Sequence, residues 1–405
     1  MNTRKIHDGR RGPVPGIPRR RFLAVSAAAA AGALTAHCGK SGSTAGNTAV
    51  AVTRLGQYER TSVRRAVENL FDRLGGIRDV VHRGDRVAIK VNLTGGVIRQ
   101  GKLPYLPTES YFTHPEVARA VAELAADAGA KELYFIDGVF DGISYGETGY
   151  ADVAKPLDAR LIDLNLPDPY PDYVRQPVGD RFQVYDGFQW NRLLGEIDAY
   201  ISVAKLKCHQ STGVTLTLKN NFGLPPVRFY DNPKRPTHIR AALHGTMEES
   251  RTRLAKVICD INLARPTHLA VIDGIMTSEG GEGPWIKTYG LKRANVLIAG
   301  KDPVATDAVG TAVMGFDPEA SDFETPFVNS VNHLAMAARY RLGTHRMGDI
   351  RIEGANLEEI TVPFTPCLPS RGRKQLEGLE ESAVRPVGRN GTAAVPFAET
   401  SGGKG

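Results

Sequence analysis

The sequence predicts an α/β protein built on a mostly parallel sheet, with helices on both faces and length enough for two lobes. Apolar strand-like segments alternate with amphipathic helical segments, and the alternation recurs in both halves of the chain. The 405 residues are 41% hydrophobic and 23% charged, which is an ordinary globular composition. A chain of this length has room for one large or two small domains.

The first half of the chain predicts a βαβ unit. DRVAIKVNL and ELYFIDG each have the short continuous apolar pattern of a buried strand. Between them, THPEVARAVAELAADAGAK is amphipathic at helical spacing, and Thr113 and Glu116 are spaced as a capping box. Two strands joined in this way pair in parallel through a right-handed crossover.

The second half repeats the alternation. The predicted elements are the strand EIDAYISVAKLK, the helix MEESRTRLAKVICDINLAR, the strands THLAVIDGI and RANVLIAG, the helices DPVATDAVGTAVMGF and VNHLAMAARYRLG, and the strand DIRIEG. Asp302 caps the helix that follows it, and Pro303 occupies the first turn of that helix, where a missing N–H costs nothing. Ligands of open α/β sheets bind beyond the carboxyl ends of the strands. The polar residues after each strand are therefore the candidate site.

The N-terminal segment resembles a twin-arginine export signal. In PRRRFLAVSAAAAAGALTAHC, Arg19 and Arg20 precede an Ala-rich apolar stretch that is too short for a membrane span. His37 stands where a lipoprotein signal requires a small residue, which disfavours lipid anchoring at Cys38. The predicted divisions are a signal peptide over 1–37, a linker over 38–53, the α/β domain over 54–362 and a disordered tail over 363–405. Such a signal implies the twin-arginine translocase as a partner during export. It also implies a periplasmic or cell-envelope location without a stable membrane span after cleavage.

The excess positive charge lies in that same N-terminal segment. Residues 1–40 contain eight Lys or Arg and one Asp, so they carry the whole formal charge of +7. The rest of the chain has no net charge, which argues against nucleic acid as a partner. Cys208, Cys259 and Cys367 are widely spaced and give neither a CxxC metal site nor a disulfide framework.

Polar residues follow several predicted strands. Lys90 and Asn92 lie on one face of their strand, next to paired glycines that let backbone approach a ligand. Asp273 ends another strand, and Glu279 lies on the acidic loop beyond it, where carboxylates can ligate a hard divalent cation. A surface lysine and a loop-capping carboxylate are the structural alternatives.

Helical segments contribute three further candidates. His114 stands at a helix N-terminus, where free N–H groups attract anions. Arg240 and His244 lie one turn apart on HIRAALH, and Arg suits a substrate carboxylate. His244 fits a metal ligand or a buried core residue equally well, and His114 also fits a structural role.

The strongest signal is the segment 205–226, KLKCHQSTGVTLTLKNNFGLPP. Its polar residues alternate along a predicted strand and a predicted return strand: Lys205, Lys207, His209, Thr215, Thr217 and Lys219, followed by Asn220. Lysines this close repel one another unless an anion or cofactor is bound. Crowding also lowers a lysine pKa, as in nucleophilic lysines. An exposed hairpin with one polar side is the alternative.

The chain resembles the family called domain of unknown function 362 over roughly residues 84–318. The segments that carry the resemblance are IKVNL, THPEVARAV, ISVAKLKCHQSTGVTLTLKNNFG, IRAALH, AVIDGIMTSEGGEGP and AGKDPVATDAVGTAVMGFDP. Many members of that family append a ferredoxin-like cysteine cluster. This chain has none, so no iron–sulfur cluster is expected.

A shorter resemblance involves His209-x3-Gly213-x5-Lys219, which is similar to a segment of nickel-pincer lactate racemases. The resemblance implies that His209 moves a proton, that Lys219 carries a tethered cofactor and that a divalent metal is bound. His244 would then be a metal ligand, although it departs from the spacing of the racemases' nickel histidine.

These observations predict an exported enzyme for a small carboxylate or phosphate anion, such as a metal-dependent racemase, isomerase or oxidoreductase. The candidate residues are His209, Lys219 and His114 for catalysis; Lys219, Lys207, Asn220, Lys90, Asn92 and Arg240 for cofactor or anion binding; and His244, Asp273 and Glu279 for metal. One alternative is a non-catalytic extracytoplasmic protein that binds a metal or anion, in which His209→Gln leaves binding intact. Another is a maturation factor that delivers a cofactor to an exported partner.

Overall fold

The computed structural model describes residues 48–101, 103–234 and 239–369; the predicted signal peptide and most of the predicted tail lie outside these ranges. The strands are β1 Thr48–Arg54, β2 Arg86–Lys90, β3 Glu132–Asp137, β4 Arg160–Asp163, β5 Tyr173–Pro177, β6 Gly187–Asn191, β7 Ala199–His209, β8 Gly213–Val214, β9 Leu269–Glu279, β10 Gly290–Gly300 and β11 Ile350–Gly354. The α-helices are α1 Arg60–Arg73, α2 Pro115–Ala128, α3 Ser144–Glu147, α4 Tyr150–Ala154, α5 Leu193–Glu196, α6 Leu216–Asn220, α7 Val227–Tyr230, α8 Ala241–His244, α9 Ser250–Ala264, α10 Pro303–Val313, α11 His333–Arg339 and α12 Leu357–Ile360. Short 3₁₀ turns occupy Val97–Arg99, Pro107–Glu109, Lys155–Leu157, Asn221–Gly223 and Met347–Asp349.

The main sheet is mixed and mostly parallel. Within the described ranges its strand order is β11-β1-β10-β9-β7-β2-β3-β4, and the short β8 pairs with the end of β7. Along this order β10 runs antiparallel to both neighbours, while the other neighbouring pairs are parallel. The predicted α/β class with a mostly parallel sheet is confirmed.

Helices cover both faces of the sheet because successive strand residues point to opposite sides. In β2, Val87 and Ile89 join the buried cluster that contains apolar residues of α1 and α2. Ala88 between them joins the other cluster, with apolar residues of α9 and α10. The described residues all belong to one compact unit rather than to two lobes.

Residues 48–53, which the sequence assigns to a linker, form most of β1 instead. Thr48 to Val52 pair with β11, and Val50 to Arg54 pair with β10. The segment TAVAVTR is rich in small residues, so it looks like the linker that precedes it, but Val50 and Val52 are fully buried. Pairing on both sides compensates for the low apolar content of the strand.

The predicted return strand after β8 is wrong: residues Leu216–Asn220 form the short helix α6. The carboxylate of Asp307, on α10, accepts hydrogen bonds from the backbone N–H groups of Thr217 and Leu218 at 2.7 and 2.8 Å. These bonds satisfy the backbone N–H groups at the start of α6. In a strand, the same groups would instead donate to a neighbouring strand. The turn carries Lys219 and Asn220 toward β2.

The predicted capping box at α2 is also replaced by a different cap. His114 is the N-cap, and its Nδ1 accepts the backbone N–H of Glu116 at 3.2 Å. The hydroxyl of Thr113 instead donates to the carbonyl of Val203 at 2.8 Å. Thr113 therefore ties α2 to β7 rather than capping the helix.

Candidate functional site

A cavity of about 300 Å³ lies at the carboxyl ends of the central parallel strands. From β2 the chain crosses to β3 on one side of the sheet order, and from β7 it crosses to β9 on the other. The cavity therefore lies at a topological switch point, where open α/β sheets bind ligands. Lys90 ends β2, Asp137 ends β3, and Lys207 and His209 end β7, so the four side chains converge on one cavity.

The cavity lining carries an excess of positive charge. Its charged residues are Lys90, Arg99, Lys207, Lys219 and Arg240 against Asp137 and Glu282. All of these except Arg99 are buried. Clustered buried cations raise one another's free energy, and a bound anion relieves that cost. The lining therefore favours a small anionic ligand.

Lys90 has protein partners for its ammonium group. Its Nζ lies 2.8 Å from Oδ1 of Asp137 and donates to the carbonyl of Val91 at 2.7 Å and to Oδ1 of Asn220 at 3.2 Å. Burial lowers the pKa of Lys90, and the Asp137 carboxylate opposes that shift. Lys90 contributes charge to the cavity and holds the α6 turn in place through Asn220.

Lys207 is also fully hydrogen-bonded. Its Nζ donates to Oδ1 of Asn92 at 2.9 Å, to the carbonyl of Tyr111 at 2.7 Å and to the carbonyl of Glu282 at 3.3 Å. Burial lowers the pKa of Lys207 to about 7, although the charge of Glu282 favours the protonated form. Asn92 in turn donates to Oδ1 of Asn220 at 3.0 Å.

Arg240 reaches the cavity from outside the sheet and is held by loop acceptors. Its guanidinium donates to Oδ1 of Asn165 at 3.1 Å and to the carbonyls of Gly223 at 3.3 Å and Gly138 at 3.4 Å. Burial lowers the pKa of Arg240 to about 10, so the group stays charged at neutral pH. A Cβ at position 138 would overlap Nη2 of Arg240, so glycine is required there for this close approach.

Lys219 differs from the other buried cations of the cavity. Its Nζ makes no hydrogen bond within the described part of the chain and lies 4.0 Å from the ring centroid of Phe222. Burial lowers the pKa of Lys219 to about 7; the charge of Glu282 opposes this shift, and those of Arg240 and Lys90 add to it. A buried amine that is half neutral at pH 7 has a free lone pair for nucleophilic attack. Lys219 is therefore the amine available to a ligand.

His209 lines the same cavity with a defined tautomer. Its Nδ1 accepts the backbone N–H of Ser211 at 3.1 Å, so the neutral ring carries its proton on Nε2. Burial lowers the pKa of His209 well below the usual value, and the charges of Lys219 and Lys207 act in the same direction. The neutral ring can thus donate a hydrogen bond through Nε2. Thr215 also lines the cavity, and its buried hydroxyl has no partner among the described residues.

Lys205, predicted to share a wall with Lys207, lies outside the cavity. Its Nζ is 2.8 Å from Oδ2 of Asp273, and both side chains are fully buried. The β7–β9 ladder pairs Lys205 with Asp273 and then shifts register, so that Lys207 pairs with Ser278. Asp273 therefore neutralises a buried lysine and does not line the cavity.

The predicted metal ligands do not come together. Glu279 accepts the backbone N–H of Thr365 at 2.8 Å and pairs with Lys292 at 3.1 Å, whereas Asp273 is paired with Lys205. His244 lines the cavity, edge-on to the ring of Phe222. Within the ranges that the structure describes, no group of three His, Cys, Asp or Glu residues could hold a metal ion.

His114 has a structural environment outside the cavity. Its ring stacks on that of Tyr58 with 3.6 Å between centroids, and its backbone N–H donates to Asp273 at 3.0 Å. Burial lowers the pKa of His114 to about 4, so the ring is neutral at physiological pH. This environment accounts for His114 as the N-cap of α2.

Trp285 and Arg99 are among the cavity residues that the sequence did not predict. Trp285 donates its indole N–H to Oε1 of Glu282 at 3.2 Å, and its ring packs against Gly95 and Gly283, where a Cβ would overlap it. The guanidinium of Arg99 lies 5.5 Å from the Trp285 ring centroid. The sequence signal for this packing is the pair of glycines after β2 together with the GGEGPW segment, because glycines that flank an aromatic ring permit such close packing.

Comparison with known proteins adds the following findings. The sequence model of the family described as domain of unknown function (DUF362) matches residues 87–312. The thylakoid-associated protein sll1697 of Synechocystis sp. (strain ATCC 27184 / PCC 6803 / Kazusa) is 29% identical over 331 residues, 79% of this chain and 91% of that protein. A crystal structure of a Thermotoga maritima protein is 13% identical with a TM-score of 0.35; the matched part is 62% of this chain and 57% of that one.

Proposed function

The chain belongs to the DUF362 family of unknown function, and we propose that it is an enzyme that binds a small carboxylate or phosphate anion in the cavity around Lys219. The observation that supports this most directly is that the amine of Lys219 makes no hydrogen bond to the described residues, whereas the other buried cations of the cavity have protein partners. The cavity volume of about 300 Å³ suits a small metabolite rather than a polymer.

In this proposal the buried cations have separate roles. Lys90 and Lys207 provide a fixed positive potential, because their ammonium hydrogens are already donated to protein oxygens, and Arg240 adds to it through a guanidinium whose Nε and Nη2 groups are likewise donated. Direct contact with the anion falls to Lys219 and to Thr215, whose hydroxyl has no partner among the described residues. This refines the predicted set, in which Lys90, Lys207 and Arg240 contact the anion themselves.

Lys219 and His209 supply the chemistry. The neutral amine of Lys219 attaches the substrate or an organic cofactor by forming a C–N bond at a carbonyl carbon. As the C=N bond is completed, the two hydrogens of the amine leave with the carbonyl oxygen as water, and the Nε2–H of neutral His209 donates a hydrogen bond to that departing oxygen. A cofactor tethered there would supply proton- or hydride-transfer chemistry when bound. Because the described residues contain no three-residue metal cluster, we do not propose a metal held by side chains alone.

Isothermal titration calorimetry of the full chain tests the proposal with a panel of 2-hydroxy acids, 2-oxo acids and phosphomonoesters. We expect at least one of these classes of compound to bind below pH 7, with an affinity that falls as the pH rises. Lys219 and Lys207, whose pKa values are about 7, lose positive charge as the pH rises through 7. If binding requires protonated Lys219, affinity falls by up to about tenfold per pH unit above 7.

Matched variants separate binding from catalysis. Lys219→Met is expected to weaken binding by about tenfold or more and to flatten the pH profile, whereas Lys287→Met, at an exposed lysine, leaves both unchanged. His209→Gln should retain binding and abolish turnover of the anion that binds. Retained turnover in His209→Gln would contradict a catalytic role for His209, whereas binding without turnover in the wild type, left intact by His209→Gln, would favour the alternative of a non-catalytic binding protein. Failure of the whole panel to bind would contradict the proposal.

We also propose that the protein is exported by the twin-arginine route. The support is the Arg19-Arg20 pair before an Ala-rich apolar stretch. The described residues contain no helix of the length and apolarity needed to cross a membrane. A thylakoid association of the Synechocystis relative is compatible with an extracytoplasmic location. Replacing Arg19 and Arg20 with lysine is expected to retain the chain in the cytoplasm, measured by cell fractionation; unchanged export would contradict this route.

A further inference from the structure

The segment after α12 packs along the edge of the site. The carbonyl of Thr365 accepts the backbone N–H of Gly280 at 2.9 Å, and the N–H of Thr365 donates to Glu279 at 2.8 Å. The carbonyl of Leu368 accepts the side-chain amides of Gln210 and Asn329, each at 2.9 Å. These bonds hold residues 363–369, here called the C-terminal strap, against the loops that follow β7 and β9.

Two buried thiols meet where the strap crosses β7. Cys208 lies between Lys207 and His209 on β7, so its side chain points to the opposite face of the strand. Its Sγ donates to the carbonyl of Thr365 at 3.5 Å. Cys367, on the strap, is 3% exposed, and its thiol interacts with the thiol of Cys208 and the backbone N–H of His209. The contacts named here involve only residues that lie within two sequence positions of Cys208 or Cys367.

We propose that Cys208 and Cys367 form a disulfide when the protein meets a disulfide oxidant, which fastens the C-terminal strap to the strand that carries Lys207 and His209. The two thiols give up two protons and two electrons as the S–S bond forms. The electrons reduce the oxidant, a protein or small-molecule disulfide, to two thiols. Such oxidants prevail in extracytoplasmic compartments. The proposal does not depend on the anion-binding function, because the contact lies on the reverse face of β7.

The cross-link has two structural consequences. It joins positions far apart in sequence, so it constrains the unfolded chain and stabilises the fold. It also fixes the backbone on both sides of Cys208, where the adjacent residues Lys207 and His209 line the cavity. Cys259, buried on α9, provides an internal control because it lies on a different element.

The test is prolonged incubation of the full chain with oxidised glutathione, followed by alkylation in denaturant and non-reducing peptide mapping. We expect a peptide containing Cys208 to be linked to one containing Cys367, while Cys259 is alkylated. The oxidised protein should melt several degrees higher than the same sample treated with dithiothreitol. In Cys367→Ser, and independently in Cys208→Ala, the redox-dependent difference in melting temperature should disappear.

Three results would overturn the proposal. The first is alkylation of both Cys208 and Cys367 after incubation at every glutathione concentration, including at temperatures just below melting, where the strap opens. The second is linkage of either cysteine to Cys259 in preference to the other. The third is the expected linkage with a lower melting temperature, which would show a strained cross-link that does not belong to the native fold.

Discussion

Pyridoxal 5′-phosphate followed by borohydride is expected to modify Lys219 faster than any other lysine of the described structure. The burial of Lys219 lowers its pKa to about 7, so about half of its amine is neutral at pH 7. An ordinary lysine has a pKa near 10.4, and only about one part in 10³ is neutral at that pH. We expect a rate advantage of roughly 10²-fold for Lys219, because a less basic amine is also a somewhat weaker nucleophile. The anionic reagent is also drawn to the cationic cavity.

Two lysines serve as controls within the same chain. The pKa of Lys207 is also lowered to about 7 by burial, but its ammonium donates to three oxygens. Lys287 is exposed and reports the general rate of surface labelling. Peptide mapping should therefore rank Lys219 first, with Lys207 protected. Equal labelling of Lys287 and Lys219 would show that Lys219 is not an activated amine. Preferential labelling of Lys207 would show that the reactive amine is on β7.

Replacing Asp273 with asparagine is expected to lower the free energy of unfolding by about 3–5 kcal/mol. The Asp273 carboxylate lies 2.8 Å from the ammonium of Lys205, and both side chains are fully buried. It also accepts hydrogen bonds from the hydroxyl of Tyr58 at 2.8 Å and the backbone N–H of His114 at 3.0 Å. Asparagine leaves the Lys205 charge uncompensated in a site without water access, which is the main cause of the loss.

Urea unfolding of the wild type and variants measures this loss. The matched control is Glu353→Gln, which breaks the solvent-exposed pair of Arg351 and Glu353 and should change stability by less than about 1 kcal/mol. Adding Lys205→Met to Asp273→Asn should recover part of the loss, because it removes the stranded charge. A loss below about 1 kcal/mol for Asp273→Asn would mean that Lys205 and Asp273 are neutral in the fold.

The strands and helices that the sequence predicts correctly have apolar patterns that are visible within the element itself. The βαβ unit around α2 and the helix that begins after Asp302 appear as predicted, since their apolar patterns and the Asp302 cap are local, although α2 is capped by His114 rather than by the predicted capping box. The small residues of β1 predict a linker, whereas pairing with β10 and β11 decides its conformation. Local alternation predicts a strand over 216–220, because the Asp307 carboxylate that organises the turn is distant in sequence.

The site was predictable where its residues lie at the ends of strands with a local alternating pattern. Strand alternation and the strand-end rule brought Lys90, Lys207 and His209 to one cavity. The same alternation placed Lys205 with them, but its charge is neutralised by Asp273 from a strand far along the chain. Arg99 and Trp285 come from loops, whose course no periodicity predicts.

The central claim is that a small anion binds beside Lys219, and protection from labelling tests it most directly. The rate at which pyridoxal 5′-phosphate modifies Lys219 is measured with increasing concentrations of carboxylates and phosphomonoesters, each compared with its neutral amide or alcohol. We predict that at least one anion slows the labelling of Lys219 saturably while its neutral counterpart does not, and that labelling of Lys287 is unaffected. Labelling of Lys219 at the same rate with every anion, or equal protection by neutral compounds, would contradict an anion site in this cavity.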